Sequence, residues 1–281
     1  MRDFIEKIDH PVIGVYDLDA ARTAYSRLGF TVPPTGRHKQ WGTANICIML
    51  QHDYLEIRGV ADESLHLAGL KEFLEQGEGL MGVVFSTRSA DRAYQAGLHA
   101  GIEVAEPRSL ERAVVLADRT LHLKFRNVML RVEDVPGLTH SNLCEHVTPQ
   151  LMRQPGWTTH ANGAVAIKSA VGVVSDLDAA KQKYEKLLGA DAVAESGSGL
   201  HLTPGDAGRI ELIDHEEALR RGVARDGRGA DYIASLEVGV EDLDAVGRLL
   251  EANGVTFTHM ETAIAVLPAE ACGVALSFGR M

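Results

Sequence analysis

Val12-Ile13-Gly14-Val15-Tyr16-Asp17-Leu18-Asp19-Ala20-Ala21 decides how this chain is read, because the pattern returns. Val171-Gly172-Val173-Val174 runs into Asp176-Leu177-Asp178-Ala179-Ala180 at an offset of 159 residues, from Asp17 to Asp176. Both helix patterns close on Leu-Gly, at Leu28-Gly29 and Leu188-Gly189. The Asp-Leu-Asp-Ala string occurs again at Asp242-Leu243-Asp244-Ala245, after Ser235-Leu236-Glu237-Val238-Gly239-Val240. A degenerate copy is Met81-Gly82-Val83-Val84-Phe85 followed by Ser89-Ala90-Asp91-Arg92-Ala93. Four common residues recur by chance. The same four after a β-type run, where Asp accepts from the orphan N–H groups of a helix start, point to a repeated unit.

Outward from the first copy, Phe30-Thr31-Val32, Trp41 to Leu50 and Tyr54-Leu55-Glu56-Ile57 read as strands. The third copy is followed by weaker candidates at Ala190 to Ala194, Gly199-Leu200-His201-Leu202 and Arg209-Ile210-Glu211-Leu212. The unit is therefore strand, helix and about three strands, used four times. One such unit cannot bury its sheet face alone, so pairs should close around a shared cavity. The expected fold class is α+β: four βαβββ modules forming two domains with cup-shaped mixed sheets. Pro149, Pro155, Gly156 and Asn162-Gly163 punctuate the middle of the chain and place the boundary near residue 155.

The length of 281 residues agrees with two domains of about 150. With 45% hydrophobic and 24% charged residues, intrinsic disorder, collagen-like repeats and a long coiled coil are excluded. A chain of this length buries roughly 75% of its unfolded surface, so folding requires neither a disulfide nor a structural metal. Basic residues number 28 against 39 acidic, a formal charge of −11 with no dense Lys/Arg run, which argues against nucleic acid as a partner. Cys47, Cys144 and Cys272 are far apart and odd in number, which suits a reducing compartment. The N-terminus carries charges where a signal peptide needs its apolar stretch, and no apolar run approaches the roughly 20 residues of a membrane helix. The expectation is a cytoplasmic protein, monomer or homodimer, with a small-molecule partner and no membrane.

The twelve histidines remain to be explained. His10 shares one face of its strand with Val12 and Gly14 by the period of two. Glu56 is a carboxylate among the apolar residues of Tyr54-Leu55-Glu56-Ile57, and Asn142-Leu143-Cys144-Glu145-His146 reads as a strand. Imidazole and carboxylate are the usual ligands of catalytic metals, and two His with one carboxylate is the arrangement of non-haem Fe(II) oxygenases. Taken singly, a strand His is more often a hydrogen-bonded core or surface residue. Glu56 alone reads equally as a solvent-facing residue on an edge strand, and His146 as a cap of the linker. His52, His66, His99, His201 and His215 receive no role. Aligning the units puts Ser169 opposite His10 and Glu211 opposite Glu56. The second half keeps the carboxylate and loses the histidine, so catalysis is expected in the first.

Ile8-Asp9-His10 with Asp17-Leu18-Asp19-Ala20-Ala21, then Gly36-Arg37-His38, Trp41-Gly42-Thr43-Ala44-Asn45 and Tyr54-Leu55-Glu56 carry a family resemblance. It continues in Cys144-Glu145-His146, Thr148-Pro149 and His160-Ala161-Asn162-Gly163-Ala164. Together they resemble the glyoxalase-like branch of the vicinal oxygen chelate superfamily, the fold of glyoxalases, extradiol dioxygenases and bleomycin-resistance proteins. The resemblance implies two glyoxalase-like domains, 1–155 with a metal site and 156–281 with a degenerate one. It implies a divalent ion (Fe, Mn, Zn, Ni or Co) held in the cup by His10, Glu56 and a residue from the last strand of the second unit. Glu145 and His146 compete for that place. Adjacent strand residues face opposite sides, so one points inward, and the resemblance favours His146. A further ligand expected near Met81 has no His or Glu to supply it. That departure leaves three ligands with room for substrate, or a site that has lost its metal.

Gly36 to Asn45 is expected to form the second strand and flank the cup. There His38 would be a general base, Arg37 a clamp for an anionic or carbonyl oxygen, and Trp41 with Asn45 the substrate-binding residues; the equal alternative is Trp41 in the core and Arg37 solvated. The implied function is a metal-dependent enzyme acting on a small oxygen-chelating substrate, aromatic ones included, of isomerase, lyase or dioxygenase type. The alternative is a non-catalytic small-molecule-binding protein of the resistance type.

Overall fold

In the computed structural model, which describes residues 4–197, 199–205, 208–225 and 227–281, each Asp-Leu-Asp-Ala string starts a helix. The Asp17 carboxylate accepts from Asp19 N at 2.8 Å and Ala20 N at 3.2 Å, starting α1 (Leu18–Arg27). Asp176 and Asp242 cap their helices in the same way, and Ser89 replaces Asp in the degenerate copy. These oxygens satisfy helix-start N–H groups that would otherwise lack partners.

Four βαβββ units follow. The first is β1 (Lys7–Gly14), α1, β2 (Gly36–His38), β3 (Thr43–Met49) and β4 (Tyr54–Val60). After the short helix α2 (Leu70–Leu74) come β5 (Gly79–Ser86), α3 (Ala90–His99), β6 (Arg108–Val115), β7 (Thr120–Met129) and β8 (Asn142–His146). The third unit is β9 (Ala164–Val173), α4 (Leu177–Leu188), β10 (Val193–Ser196), β11 (Gly199–Leu202) and β12 (Arg209–Ile213). Helix α5 (His215–Arg220) leads to β13 (Tyr232–Val240), α6 (Leu243–Ala252), β14 (Phe257–His259), β15 (Ala263–Val266) and β16 (Ala275–Arg280). The barrel strands end at His146 and the second sheet begins at Ala164. No helix among the described residues is long and apolar enough to cross a membrane.

The two sheets differ in closure. The first eight strands form a closed barrel, β1-β4-β3-β2-β6-β7-β8-β5, whereas the second sheet is open, β10-β11-β12-β9-β13-β16-β15-β14. Local register is nevertheless shared: Val12 lies opposite Glu56 in the parallel β1–β4 pair, and Val171 opposite Glu211 in the parallel β9–β12 pair. Strand alternation sorts the barrel's side chains into two cores. Val12, Cys47, Met49, Tyr54, Leu123 and Phe125 belong to the cluster inside the barrel. Ile13, Ile46, Ile48, Leu55 and Ile57 join a second cluster with Tyr25 of α1, Tyr184 of α4 and Phe278 of β16, so this core runs through both halves.

Three sequence expectations change here. Ala190–Ala192 is a turn of 3-10 helix, and the strand expected there begins only at Val193. Phe30-Thr31-Val32 is not a strand; Pro33 and Pro34 follow it without N–H groups to donate, and pairing begins only at Gly36. The segment Gly36 to Asn45 is a hairpin rather than one strand, with residues 39–42 turning between β2 and β3. Gly42 sits in that turn because a Cβ there would meet the Asp62 carbonyl oxygen at 1.9 Å.

Candidate active site

The site grows from an irregularity in β1. Against β5, Ile8 pairs with Phe85 and His10 with Val84, so Asp9 is an extra residue, a bulge. A bulge bends its strand and re-aims a side chain. Asp9 and His10 are consequently both buried and bonded to each other, His10 Nδ1 to Asp9 Oδ2 at 2.8 Å. The same carboxylate oxygen meets His146 Nε2 at 2.8 Å, joining the first strand of the barrel to β8. His10 Nε2 lies 3.1 Å from Glu56 Oε2, and the His10 ring stacks on Tyr54 with centroids 4.2 Å apart.

Glu56 is fully engaged. Its Oε1 accepts from Asn45 Nδ2 at 2.8 Å and Arg58 Nε at 3.0 Å, and its Oε2 accepts from Arg58 Nη2 at 2.9 Å. With His10 on the remaining position, the approximately four lone-pair sites of a carboxylate are used. Burial opposes the charge on both carboxylates most strongly. Arg58 and His10 nevertheless hold Glu56 well below the ordinary carboxylate range, and His146 and His10 do the same for Asp9. For His10 burial works downward, but Asp9 and Glu56 together raise its pKa.

His10, Glu56, Asn45, Trp41 and His38 line one cavity of about 30 Å³, room for one or two water-sized groups. His38 Nδ1 bonds Thr43 Oγ1 at 2.8 Å, and burial pulls its pKa down to about 4, leaving the ring neutral at pH 7. Trp41 packs in the barrel cluster beside His38, centroids 5.7 Å apart. Arg37 is absent from the lining. It alternates with the inward Gly36 and His38 and is exposed, so the guanidinium clamp expected there is not offered by that residue. Met81 is buried in the barrel cluster.

On β8, alternation separates the two competing residues. His146 turns inward to Asp9, while Glu145 faces outward and accepts from Ala90 N at 2.8 Å, at the start of α3. Among the described residues, the His, Cys, Asp and Glu side chains whose ligand atoms all lie within 4.8 Å are Asp9, Cys144 and His146. His10 and Glu56 meet one step along the cup, linked to that group through Asp9. In the second half, Glu211 pairs with Arg221 at 2.8 Å and Ser169 Oγ donates to Glu237 at 3.1 Å.

Sequence reasoning missed Asp9 and Arg58. Arg58 was readable two residues from Glu56 on the same strand face. Asp9 was not, because alternation alone turns it away from His10 and only the bulge brings it in.

The His10–Glu56 contact has a spacing that two ligands of one divalent ion could also take. Two ligand atoms about 2.1 Å from one ion at a right angle lie roughly 3 Å apart, and His10 Nε2 and Glu56 Oε2 are 3.1 Å apart. Asp9 behind His10 Nδ1 would support a metal-binding imidazole, and an ion between His10 Nε2 and Glu56 Oε2 would take the place of the bond these two atoms now share. His146 Nδ1 is buried without a hydrogen-bond partner.

A family model described as a glyoxalase-like domain matches residues 8–188. That of the glyoxalase/bleomycin resistance protein/dioxygenase superfamily matches residues 166–263. Curated protein sequences give no match. Among solved structures the chain is similar to a hypothetical protein from Staphylococcus aureus, at 12% identity and TM-score 0.68, covering 98% of this chain and 99% of that one. It is similar to a triple mutant of 4-hydroxymandelate synthase from Streptomyces coelicolor, at 11% identity and TM-score 0.63, covering 99% and 94%. A third likeness is to a xylose isomerase-like TIM barrel/4-hydroxyphenylpyruvate dioxygenase fusion protein, at 12% identity and TM-score 0.61. It covers 99% of this chain and 49% of that longer one. At these identities the likeness is one of fold.

Proposed function

We propose, from the premise that this chain belongs to the glyoxalase-like family, that its N-terminal barrel is the cup of a metal-dependent enzyme acting on a small oxygen-donor substrate. The observation that carries this reading is the buried His10–Glu56 pair at 3.1 Å with Asp9 behind the imidazole. His10 and Glu56 would hold the ion with Asp9 orienting the His10 ring; the ligand atoms of His146 do not fall within 4.8 Å of both, so His146 would join them only after a shift of its side chain. When bound, such an ion supplies Lewis acidity at the substrate's oxygens.

The chain's own residues do the rest. Arg58 and Asn45 keep Glu56 ionised and fixed in direction. Neutral His38 offers a hydrogen bond and a weak base at the cavity wall, and Trp41 closes that side. The closed barrel keeps bulk water from a site whose polar groups then act at low dielectric. Structural likeness to a 4-hydroxyphenylpyruvate dioxygenase fusion protein and a 4-hydroxymandelate synthase supports an enzyme and does not select among isomerase, lyase and dioxygenase types.

Metal analysis after reconstitution with Fe(II), Mn, Zn, Ni and Co in turn tests the reading. Stoichiometric uptake of at least one ion is expected, lost in His10→Ala and Glu56→Ala and kept in Glu211→Ala. Sub-stoichiometric uptake of every ion would overturn it.

A further inference from the structure

Arg112 projects from β6 into the barrel with 4% of its surface exposed. Its contacts are unusual for a buried cation. Nη1 donates to Asn45 Oδ1 at 3.3 Å and contacts Cys47 Sγ, Nη2 reaches Met152 Sδ at 3.8 Å, and Nε has no partner. Its Cζ lies 5.6 Å from the centre of the Phe125 ring. An amide, a thiol, a thioether and an aromatic face are its surroundings; no carboxylate stands within ion-pair distance of it among the described residues.

The nearby acids are already spent. Glu56 is taken by Arg58, Asn45 and His10, and Asp9 by two imidazoles. Burial pushes the Cys47 thiol up to about 12, so it is neutral at pH 7 and contributes no counter-charge. A guanidinium held out of water with no anion in contact, Glu56 acting on it only from a distance, is unfavourable, and such a cost in stability is one that function can account for. The cavity beside Arg112 is also lined by Asn127 and Asn142, and Asn127 Oδ1 and Asn142 Nδ2 are buried without partners.

We infer that Arg112 is the anchor of a carboxylate subsite inside the barrel. The planar guanidinium matches a planar carboxylate. The Asn142 amide adds a donor, Asn127 supplies an acceptor for a hydroxyl or a water carried in with the ligand, and about 30 Å³ admits a group of only a few heavy atoms. The same cavity is bounded by His10 and Glu56, so a carboxylate on Arg112 lies beside the proposed metal position. Carboxylate capture deepens the metal-cup reading and rests on it only in making the ligand a substrate; binding itself does not require the ion.

Metal-free protein, stripped with a chelator, is titrated with sodium acetate by calorimetry and thermal melting, with chloride and sulfate at matched ionic strength as controls. Acetate is expected to raise the melting temperature of the wild type beyond either control. Arg112→Met should weaken acetate binding by at least about thirty-fold while leaving the ligand-free melting temperature equal or higher. Arg112→Lys, which keeps the charge but not the fork, should bind acetate more weakly than the wild type. Three results would overturn the subsite: a wild-type response to acetate no larger than to chloride, a response to sulfate larger than to acetate, or undiminished acetate binding in Arg112→Met. If Arg112→Met does not fold, the wild-type titration and Arg112→Lys decide. Because these measurements use metal-free protein, their failure leaves metal uptake untouched, and failed metal uptake leaves them untouched.

Discussion

Glu56 is held by three side chains at once, and the pairing with Arg58 is the strongest of the three because it is bidentate and buried. Removing one partner of such a pair leaves a charge out of water, a loss of about 3–5 kcal/mol. Arg58→Met is therefore expected to destabilise the metal-free protein by about that amount at pH 7, read from urea unfolding. The Arg58→Met/Glu56→Gln double variant should lose less than the sum of the single changes, since neither charge is then orphaned. The pH dependence has two limbs. Asp9 and Glu56 have depressed pKa values, so their contribution is present above the unfolded value of about 4 and disappears as pH falls through the folded values. His10 is raised, so its contribution is complete below about 6.5 and disappears as pH rises through its folded value. Wild-type stability from this network should peak between about pH 4.5 and 6.5. In Arg58→Met the acid-side loss should begin at higher pH, and an unchanged acid limb would show that Arg58 does not hold Glu56 down.

Strand alternation on β8 gives Glu145 and His146 opposite tasks. Glu145 sets a negative charge on the first N–H of α3, where the positive end of the helix dipole lies. Glu145→Gln should cost about 0.5–2 kcal/mol of stability and leave metal uptake unchanged. His146→Ala should do the reverse to uptake. Loss of uptake in Glu145→Gln with retention in His146→Ala would reverse the assignment of the two faces. The same alternation explains what is legible in the sequence. A period of two and a recurring helix start are local properties, and from them came four βαβββ units; that His10, His38, Trp41, Asn45 and Glu56 flank one cup came from the family resemblance, and all five line one cavity. What escaped depends on departures from regularity or on distant pairing. The Asp9 bulge is defined only against β5, the hairpin between β2 and β3 only by its partner strands, and the inward turn of Arg112 only once β2 and β6 close the barrel.

Closure of one sheet and not the other leaves the barrel dependent on its neighbour for cover. The core that contains Ile46, Ile48, Leu55 and Ile57 of the barrel's outer side is completed by residues of α4, β13 and β16. Polar stitches run along the same seam. Ile167 N donates to both oxygens of Asp53 at 3.1 Å, Gln51 N donates to Val165 O at 3.0 Å, and Asn162 Nδ2 donates to Leu28 O at 2.9 Å. His160 accepts from Thr31 N through Nδ1 at 3.0 Å and meets Met49 O through Nε2 at 2.9 Å, a neutral tautomer fixed at both ends. Neither half can expose this seam without stranding apolar surface and buried donors, so the two halves should unfold together. Trp41 and Trp157 both precede the second sheet, so tryptophan fluorescence follows the barrel half and its junction, whereas far-UV circular dichroism follows strands and helices throughout. In urea the two signals are expected to change with one midpoint and one slope, and His160→Ala should lower that midpoint without splitting it. A fluorescence transition that separates from the dichroism transition would mean that the barrel folds as an independent body, and that its cup is shaped by its own eight strands rather than by the sheet packed behind them.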